Sequence, residues 1–212
     1  DYADYAAWLP SQLEGPSFDE SLAIWKRRLD GVPTLALPTD RVRTASQSFR
    51  GDVVSRPLPT PVGDALKALG RGHGATPFVA FLAAFEVLIA RLSGDEDFAL
   101  GTPVGGRTLP ELASLIGFFA NTLVVRADLS GSPAYTEVLV RARERVAEAL
   151  RHQEVPFERV VDALGVARDP SRNPLFQVAF AMREHATNEL ALQGTVVRRD
   201  PERHGRAKFD LT

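Results

Sequence analysis

Cysteine is absent from all 212 residues of the sequence. Its absence excludes disulfide bonds, thiolate zinc sites and a cysteine nucleophile, and it is typical of proteins in a reducing cytoplasm. The sequence also lacks any apolar run that approaches the about 20 residues of a membrane-spanning helix. Residues 1–12 contain acidic side chains and no basic stretch, so they do not resemble a secretory signal. We therefore expect a cytoplasmic protein that does not cross a membrane.

An excess of one charge is missing as well. The 25 basic and 27 acidic residues are interspersed and give a formal net charge of -2. A phosphate backbone needs a basic stripe, so nucleic acid is not expected as a partner. Because 44% of the residues are hydrophobic, the chain has enough apolar material for a sizeable core. The sequence therefore predicts one compact globular domain.

The strongest local signal in the sequence is a helix between Thr76 and Gly94. Thr76 is a typical N-cap, Pro77 fits the first helical position, and Gly94 lies just beyond the predicted end. The segment is apolar nearly all round, so we expect it to be buried under a sheet. Glu86 and Arg91 are predicted to lie on its wetter edge.

Helices and strands alternate along the rest of the chain. Helices are predicted at 18–29, 61–69 and 134–153, the last with Val138, Val146, Ala149 and Leu150 near its apolar face. Strands are predicted at 49–58, 97–104, 118–129 and 175–182, with another beginning at 207–212. We expect 97–104 and 118–129 to be inner strands. The alternation predicts an α/β fold, a sandwich with helices packed on a sheet.

The four histidines do not form a metal-binding pattern. No two are adjacent or four residues apart, so no metal site is predicted. His152 lies in the last turn of the predicted helix 134–153, and Pro156 cannot continue that helix. A C-terminal capping role for His152 is favoured over that of a general base, because an imidazole interacts well with the last carbonyls of a helix.

Two loop segments invite a functional interpretation. GTPVGGR, residues 101–107, lacks both the Lys-Ser or Lys-Thr of a P-loop and the G-x-G-x-x-G spacing. We expect it to form a turn between strands that approaches another backbone closely. RDPSRNPL, residues 168–175, fits either an ion-paired Asx turn that leads into the next strand or a ligand contact.

Five segments together resemble a known family. DYADYAAW (1–8), GTPVGGR (101–107), IGFFANTLVVR (116–126), HQEVPFE (152–158) and RDPSRNPLFQ (168–177) resemble, in order and spacing, the later core motifs of nonribosomal peptide synthetase condensation domains. The resemblance covers nearly the whole chain. It departs from the family only slightly, with Glu154 where Asp is common and Ala120 where Val is common. The residues that match the motifs are Tyr5, Trp8, Arg107, His152, Gln153, Pro156, Phe157, Arg168, Asp169, Arg172, Asn173 and Pro174.

The resemblance implies a chloramphenicol acetyltransferase-like α/β sandwich, with helices packed on a mixed sheet, and an acyl transfer reaction. Condensation domains have two α/β lobes that form a V, and this chain is expected to be one of them. They join an upstream acyl or peptidyl thioester to a downstream aminoacyl thioester, both held on phosphopantetheine arms of carrier proteins. The expected partners are carrier protein domains, the N-terminal lobe and an adenylation domain. No directly bound cofactor is expected.

The family's catalytic motif, His-His-x-x-x-Asp-Gly, does not occur in this sequence. The resemblance therefore implies that residues 1–212 form the C-terminal lobe, without the N-terminal lobe and the last C-terminal elements. It also implies that the chain contains no catalytic residue and is inactive alone, with a structural role for His152. A lobe without its partner is expected to expose an apolar face and to self-associate.

The candidates for contact with substrate in the tunnel are Gly117, Phe118, Asn121 and Thr122. Asn121 is expected either to contact a pantetheine or substrate amide, or to tie two strands through a buried hydrogen bond. Two other functions remain open. One is an epimerisation or ester-forming relative of the same superfamily, and the other is a non-catalytic docking module for a carrier protein or tailoring enzyme.

Overall fold

The computed structural model describes residues 1–183, 195 and 205–212, so His185 and His204 lie outside the described residues. The described helices are α1 (Tyr2–Gln12), α2 (Pro16–Leu29), α3 (Thr60–Gly72), α4 (Pro77–Ser93), α5 (Tyr135–Arg151) and α6 (Phe157–Leu164). The described strands are β1 (Asp97–Val104), β2 (Asn121–Asp128) and β3 (Val178–Ala179), and a 3₁₀ turn spans Pro110–Leu112. The predicted α/β fold with a mixed sheet is confirmed.

The described sheet has three strands in the order β2-β1-β3. β1 is antiparallel to β2, with Asp97 opposite Asp128 and Val104 opposite Asn121, and it is parallel to β3. The prediction that 97–104 is an inner strand is confirmed. For 118–129 it is wrong within the described sheet, where β2 lies at the edge.

The three other predicted strands are short or absent in the structure. Segment 175–182 contributes only the two residues of β3, and 207–212 only a single bridge from Leu211 to Val178. The prediction of a strand at 49–58 is wrong, because only Arg50 pairs, in one bridge to Arg206. The alternating apolar residues of that segment face solvent, with Val54 80% exposed.

Helices cover both faces of the sheet. Successive strand residues point to opposite faces, so each strand contributes side chains to the packing on both sides. On one face Leu100 and Val125 pack against α4 and α5 through residues such as Leu82 and Val138. On the other face Ala99 and Val124 join a second cluster that includes Phe18 and Trp25 of α2, Val160 of α6, and Phe176. The described part of the chain therefore has two hydrophobic cores separated by one sheet.

The predicted ends of α4 are confirmed. Thr76 Oγ1 accepts the backbone N–H of Val79 at 3.3 Å, and Gly94 adopts the left-handed conformation with φ 82°. The prediction for Glu86 is wrong, because only 1% of this residue is exposed. Burial raises the pKa of Glu86 to about 8, and the charge of Arg145 partly opposes this rise.

α5 ends as predicted, with His152 as its C-cap. Leu150 is an exception to the predicted apolar face, since it is 42% exposed. No helix was predicted over α1 or α6. α1 begins with a capping box in which the Asp1 side chain accepts the N–H groups of Ala3 and Asp4.

No single described helix is long and apolar enough to cross a membrane. α3 and α4 reach the length and apolar composition of a membrane span only when they are taken together, and they are bent by 110° relative to each other.

Candidate functional site: the Phe119 cleft

Four of the five motif segments meet in one cleft of about 620 Å³, here called the Phe119 cleft. α1 forms one wall, and the connection between β1 and β2 forms another. Asn121 and the segment after α5 complete it. The motif residues that line it are Tyr2, Tyr5, Trp8, Gly106, Phe118, Phe119, Ala120, Asn121, Gln153, Glu154 and Pro156.

An aromatic cluster of Tyr2, Tyr5, Trp8 and Phe119 fixes α1 to this cleft. The three α1 residues are spaced by three and therefore lie along one side of the helix. The Phe119 ring centroid lies 5.2 Å from that of Tyr2 and 4.7 Å from that of Tyr5. Aromatic pairs at such distances contribute about 0.5–1.5 kcal/mol each beyond area burial. Burial also raises the pKa of the Tyr5 hydroxyl.

Arg107 fixes the loop from the other side of Phe119. Its guanidinium lies 4.3 Å from the centroid of the Phe119 ring, and it donates a hydrogen bond to the carbonyl of Leu112. A cation over an aromatic face is stabilised by the ring quadrupole. The motif arginine therefore holds the Phe119 ring and the 3₁₀ turn together.

Two glycines allow the close approaches that the cleft requires. A Cβ added at Gly106 would lie 1.8 Å from the carbonyl oxygen of Phe119, and the φ of Gly106 is 64°. A Cβ at Gly117 would lie 2.1 Å from the Tyr2 ring, whose hydroxyl donates to the carbonyl of Phe118 at 2.9 Å. The close backbone approach predicted for GTPVGGR is confirmed at Gly106. The segment is not a simple turn, because its first four residues belong to β1.

The side chain of Asn121 makes four hydrogen bonds. Its Nδ2 donates to the carbonyls of Gln153 at 2.9 Å and Val155 at 2.8 Å. Its Oδ1 accepts the N–H groups of Thr122 at 2.8 Å and Phe157 at 3.1 Å. These bonds use both donors and both lone pairs of the amide. Asn121 therefore joins β2 to the HQEVPFE segment, rather than to a second strand, and it has no free donor or acceptor for a ligand in this structure.

His152 lies outside the Phe119 cleft and faces α2. Its Nδ1 lies 3.0 Å from the hydroxyl of the buried Ser21, and its carbonyl accepts the indole N–H of Trp25 at 3.0 Å. These contacts connect the end of α5 to α2. His152 is not among the residues that line the Phe119 cleft.

The four substrate-facing candidates are only partly brought together. Phe118 and Asn121 line the Phe119 cleft, whereas Gly117 packs against Tyr2 and Thr122 lies outside the lining. Phe118 is 77% exposed and its neighbour Ile116 is 94% exposed. The connection between β1 and β2 thus presents two large apolar side chains to solvent at the edge of the cleft.

The fifth segment, RDPSRNPLFQ, lies in a different place. Asp169 accepts the N–H of Ser171 at 2.8 Å and pairs with Arg172 at 3.1 Å. The hydrogen bonds from Ser171 are the main cause of the lowered pKa of Asp169. This is the ion-paired Asx turn, one of the two interpretations that the sequence left open. The residues of this segment that line a separate cleft of about 870 Å³ are Arg168, Asp169, Pro170, Arg172, Asn173, Pro174, Leu175 and Gln177.

Tyr2 and Phe119 were not singled out from the sequence, although both lie in quoted motifs. The spacing of Tyr2, Tyr5 and Trp8 would have indicated a shared helical side. Phe157 links the two motif regions, because its ring packs 5.5 Å from that of Phe176. Among the described residues, no group of three His, Cys, Asp or Glu side chains could hold a metal ion.

Comparison of the sequence with known proteins identifies its relatives. Residues 1–212 match the family model of the condensation domain. The chain is similar to a linear gramicidin synthase protein of Brevibacillus parabrevis, with 45% identity over the whole chain and 3% of the relative. It is also similar to malpinin synthetase of Mortierella alpina, with 43% identity over the whole chain and 3% of that protein. The chain thus spans only a small part of these relatives.

Solved structures agree with this relationship. The X-domain from teicoplanin biosynthesis superimposes with a TM-score of 0.78 at 33% identity, covering 84% of this chain and 41% of that one. The same domain is also known in a complex with OxyB, with a TM-score of 0.77 at 33% identity over the same shares of the two chains. The condensation domain of the monacolin K polyketide synthase MokA gives a TM-score of 0.75 at 29% identity, covering 84% and 44%. The chain belongs to the condensation domain family.

Proposed function

We propose that residues 1–212 are the C-terminal lobe of an amide-forming condensation domain in a nonribosomal peptide synthetase. The observation that carries this proposal is the convergence of four motif segments on the Phe119 cleft. The family match over the whole chain supports it. The similarity to a gramicidin synthase and to malpinin synthetase also supports it.

In the proposed reaction, the amine of a downstream aminoacyl thioester attacks the carbonyl carbon of an upstream acyl or peptidyl thioester. A carbon–nitrogen bond forms and the carbon–sulfur bond breaks. The proton lost by the amine accompanies the released thiol. Both substrates arrive on phosphopantetheine arms of carrier proteins, and an adjacent adenylation domain supplies the amino acid.

This lobe contributes positioning to the reaction and no acid or base. Its motif histidine, His152, is engaged with Ser21 and does not line the Phe119 cleft. Holding two reactants in a near-attack geometry can contribute about 7–11 kcal/mol, and that contribution requires a closed tunnel. We therefore expect no condensation by this chain alone.

Within the lobe, we assign different roles to the substrate-facing candidates. Asn121 is a positioning residue, because its amide is fully used in holding the HQEVPFE segment against β2. Phe118 is exposed and lines the Phe119 cleft, so it is the candidate for contact with the other lobe or a pantetheine arm.

A docking module is the second candidate function. The observation that favours it is the similarity to the X-domain from teicoplanin biosynthesis, which is known in a complex with OxyB. A module of this kind would need the outer surface of the lobe and no closed tunnel.

Reconstitution from separate lobes distinguishes the two functions. The chain is mixed with two loaded carrier proteins, with and without a separately purified N-terminal lobe that contains His-His-x-x-x-Asp-Gly. We expect the amide product only when both lobes are present, as read from the mass of the carrier-bound product. If the lobes associate and no product forms, while a carrier protein or tailoring enzyme still binds this chain, docking is the better account.

A further inference from the structure

A second cleft lies on the α4 and α5 side of the sheet, and it shares no lining residue with the Phe119 cleft. It has a volume of about 820 Å³ and is here called the Thr102 cleft. Volumes of about 300–1,000 Å³ are typical of small-molecule sites. Its lining is mainly apolar and includes Phe78, Val79, Val104, Leu123, Val125 and Val146.

The floor of this cleft contains a buried hydroxyl group without a partner. Thr102 is 5% exposed, and its Oγ1 makes no hydrogen bond to any residue that the structure describes. An unpaired buried hydroxyl is unfavourable, because it has lost its hydration and gained no hydrogen bond in return. Valine has the same shape and would avoid this cost on a strand. The unpaired hydroxyl therefore points to a hydrogen-bonding partner that enters the cleft.

The other polar side chains of the lining are engaged or lie at the rim. Thr76 caps the N-terminus of α4, and Arg143 donates to the carbonyl of His73 at 2.7 Å. Glu144 and Arg151 are exposed on α5, and no charged side chain of the lining lies on the strands that form the floor. A charged ligand group on the floor would lose its hydration without gaining a counter-ion. The cleft therefore suits a neutral apolar chain with one hydrogen-bond acceptor.

We propose that the Thr102 cleft binds a neutral acyl chain, with the hydroxyl of Thr102 donating to its carbonyl or amide oxygen. This inference rests on the proposed function and deepens it, since it assigns a subsite for the acyl or side-chain part of a carrier-bound substrate. Thr102 pairs with Leu123 on β2, two positions along the ladder from Asn121. The Thr102 cleft therefore lies beside the segment of β2 that contains Asn121, a residue of the Phe119 cleft.

Binding of octanamide to the 212-residue chain tests the subsite. Two-dimensional NMR titration should show saturable shifts at residues that line the Thr102 cleft. Octanoate, which has the same chain and a charge, should bind more weakly. T102V replaces the hydroxyl with a methyl group of similar size, so we expect octanamide affinity to fall about 3- to 10-fold. T102S keeps the hydroxyl and should bind octanamide with the wild-type affinity.

A variant that fills the cleft provides a second test. Ala147 is exposed on α5 at the mouth of the cleft, so Ala147→Trp should abolish octanamide binding without disturbing the core. Ala68 is exposed on α3 and lines none of the clefts described, so Ala68→Trp is the matched control and should bind as the wild type does. Without ligand, T102V should melt at a higher temperature than the wild type, because the unpaired hydroxyl is gone.

Two outcomes would overturn the subsite. One is no saturable binding of octanamide to the wild type, and the other is equal affinity of wild type and T102V. The titration requires neither the other lobe nor catalysis. A failure here therefore leaves lobe reconstitution untouched, and a failure of reconstitution leaves the titration interpretable.

Discussion

Asn121 and Thr102 lie on adjacent antiparallel strands, and they differ in how fully their side chains are hydrogen-bonded. The amide of Asn121 makes four bonds, whereas the hydroxyl of Thr102 makes none to a described residue. Glu86 of α4 also has a buried carboxylate oxygen without a described partner. The comparison separates a fully hydrogen-bonded amide beside the Phe119 cleft from buried polar atoms on β1 and α4 that have no described partner.

The largest effect is expected at Glu86 and depends on pH. A carboxyl with a pKa near 4.5 when unfolded and about 8 when folded is neutral in the folded state over this range. The stability that the protonated Glu86 contributes is fully present below pH 4.5. The protein loses this stability as the pH rises from 4.5 to about 8. E86Q should remove this loss and stabilise the chain above about pH 8 by on the order of 4 kcal/mol. Urea unfolding at about pH 4 and about pH 9, on either side of this range, measures it.

Asp64 supplies the control for this experiment. It is exposed on α3, where its nearest cation is Lys67 at 3.8 Å. D64N should change stability by less than about 0.5 kcal/mol at either pH. An E86Q variant with the wild-type pH dependence would show that Glu86 is charged in the fold.

Removing the Asn121 amide should be the next largest effect. Asn121→Ala leaves the carbonyls of Gln153 and Val155 and the N–H of Phe157 without this partner. We expect destabilisation by about 3 kcal/mol in urea unfolding.

Asn173→Ala is the matched control for this substitution. The Asn173 side chain donates to the carbonyl of Lys208, and its loss should cost about 1 kcal/mol. Equal costs for the two variants would contradict the special role of Asn121.

A smaller loss is expected from a methyl group at Gly106. Its positive φ and the 1.8 Å approach to the Phe119 carbonyl both oppose a side chain, so Gly106→Ala should cost about 2 kcal/mol. Gly105 has no atom within 4 Å of an added Cβ, and Gly105→Ala should cost much less. Thermal melting compares the two, and near-UV circular dichroism follows the aromatic cluster. A Gly105 variant that loses as much stability would show that the close approach at Gly106 is unimportant.

The smallest effect concerns self-association through the exposed edge of the Phe119 cleft. Ile116 and Phe118 expose apolar surface that we expect the other lobe to cover. The isolated chain should form dimers at high concentration in light scattering. Phe118→Ser should raise the dimer dissociation constant several-fold, whereas Val42→Ser, at another exposed apolar residue, should not. A strictly monomeric wild type over a wide concentration range would contradict the expectation.

Local signals predicted some elements well. The bounds of β1 and both caps of α4 follow from residues within or beside the element itself, such as Thr76 and Gly94. The burial of Glu86 was missed, although Glu86 shares a helical face with Leu82 and Ile89 and that spacing indicates it. The prediction of a strand at 49–58 was wrong, because a strand requires a partner and an alternating sequence alone cannot supply one.

The site depended on contacts between segments that lie apart in the sequence. The bonds of Asn121 to the HQEVPFE segment join residues 32 to 36 positions apart, so the choice between a ligand contact and a structural tie was open until the fold was known. Thr102 appeared only as part of a glycine-containing motif, and its unpaired hydroxyl is a property of the packed structure. The motifs predicted which segments form the site, and the fold showed which of their residues contact each other.

The most direct test of the central claim is the rate of amide formation by the two lobes together. The time course compares this chain with a wild-type N-terminal lobe and with one whose His-His pair is replaced by alanine. We predict carrier-bound amide only from the wild-type pair, with this chain required and inactive alone. Amide formed by this chain in the absence of the other lobe would contradict the assignment of residues 1–212 as a non-catalytic, positioning lobe.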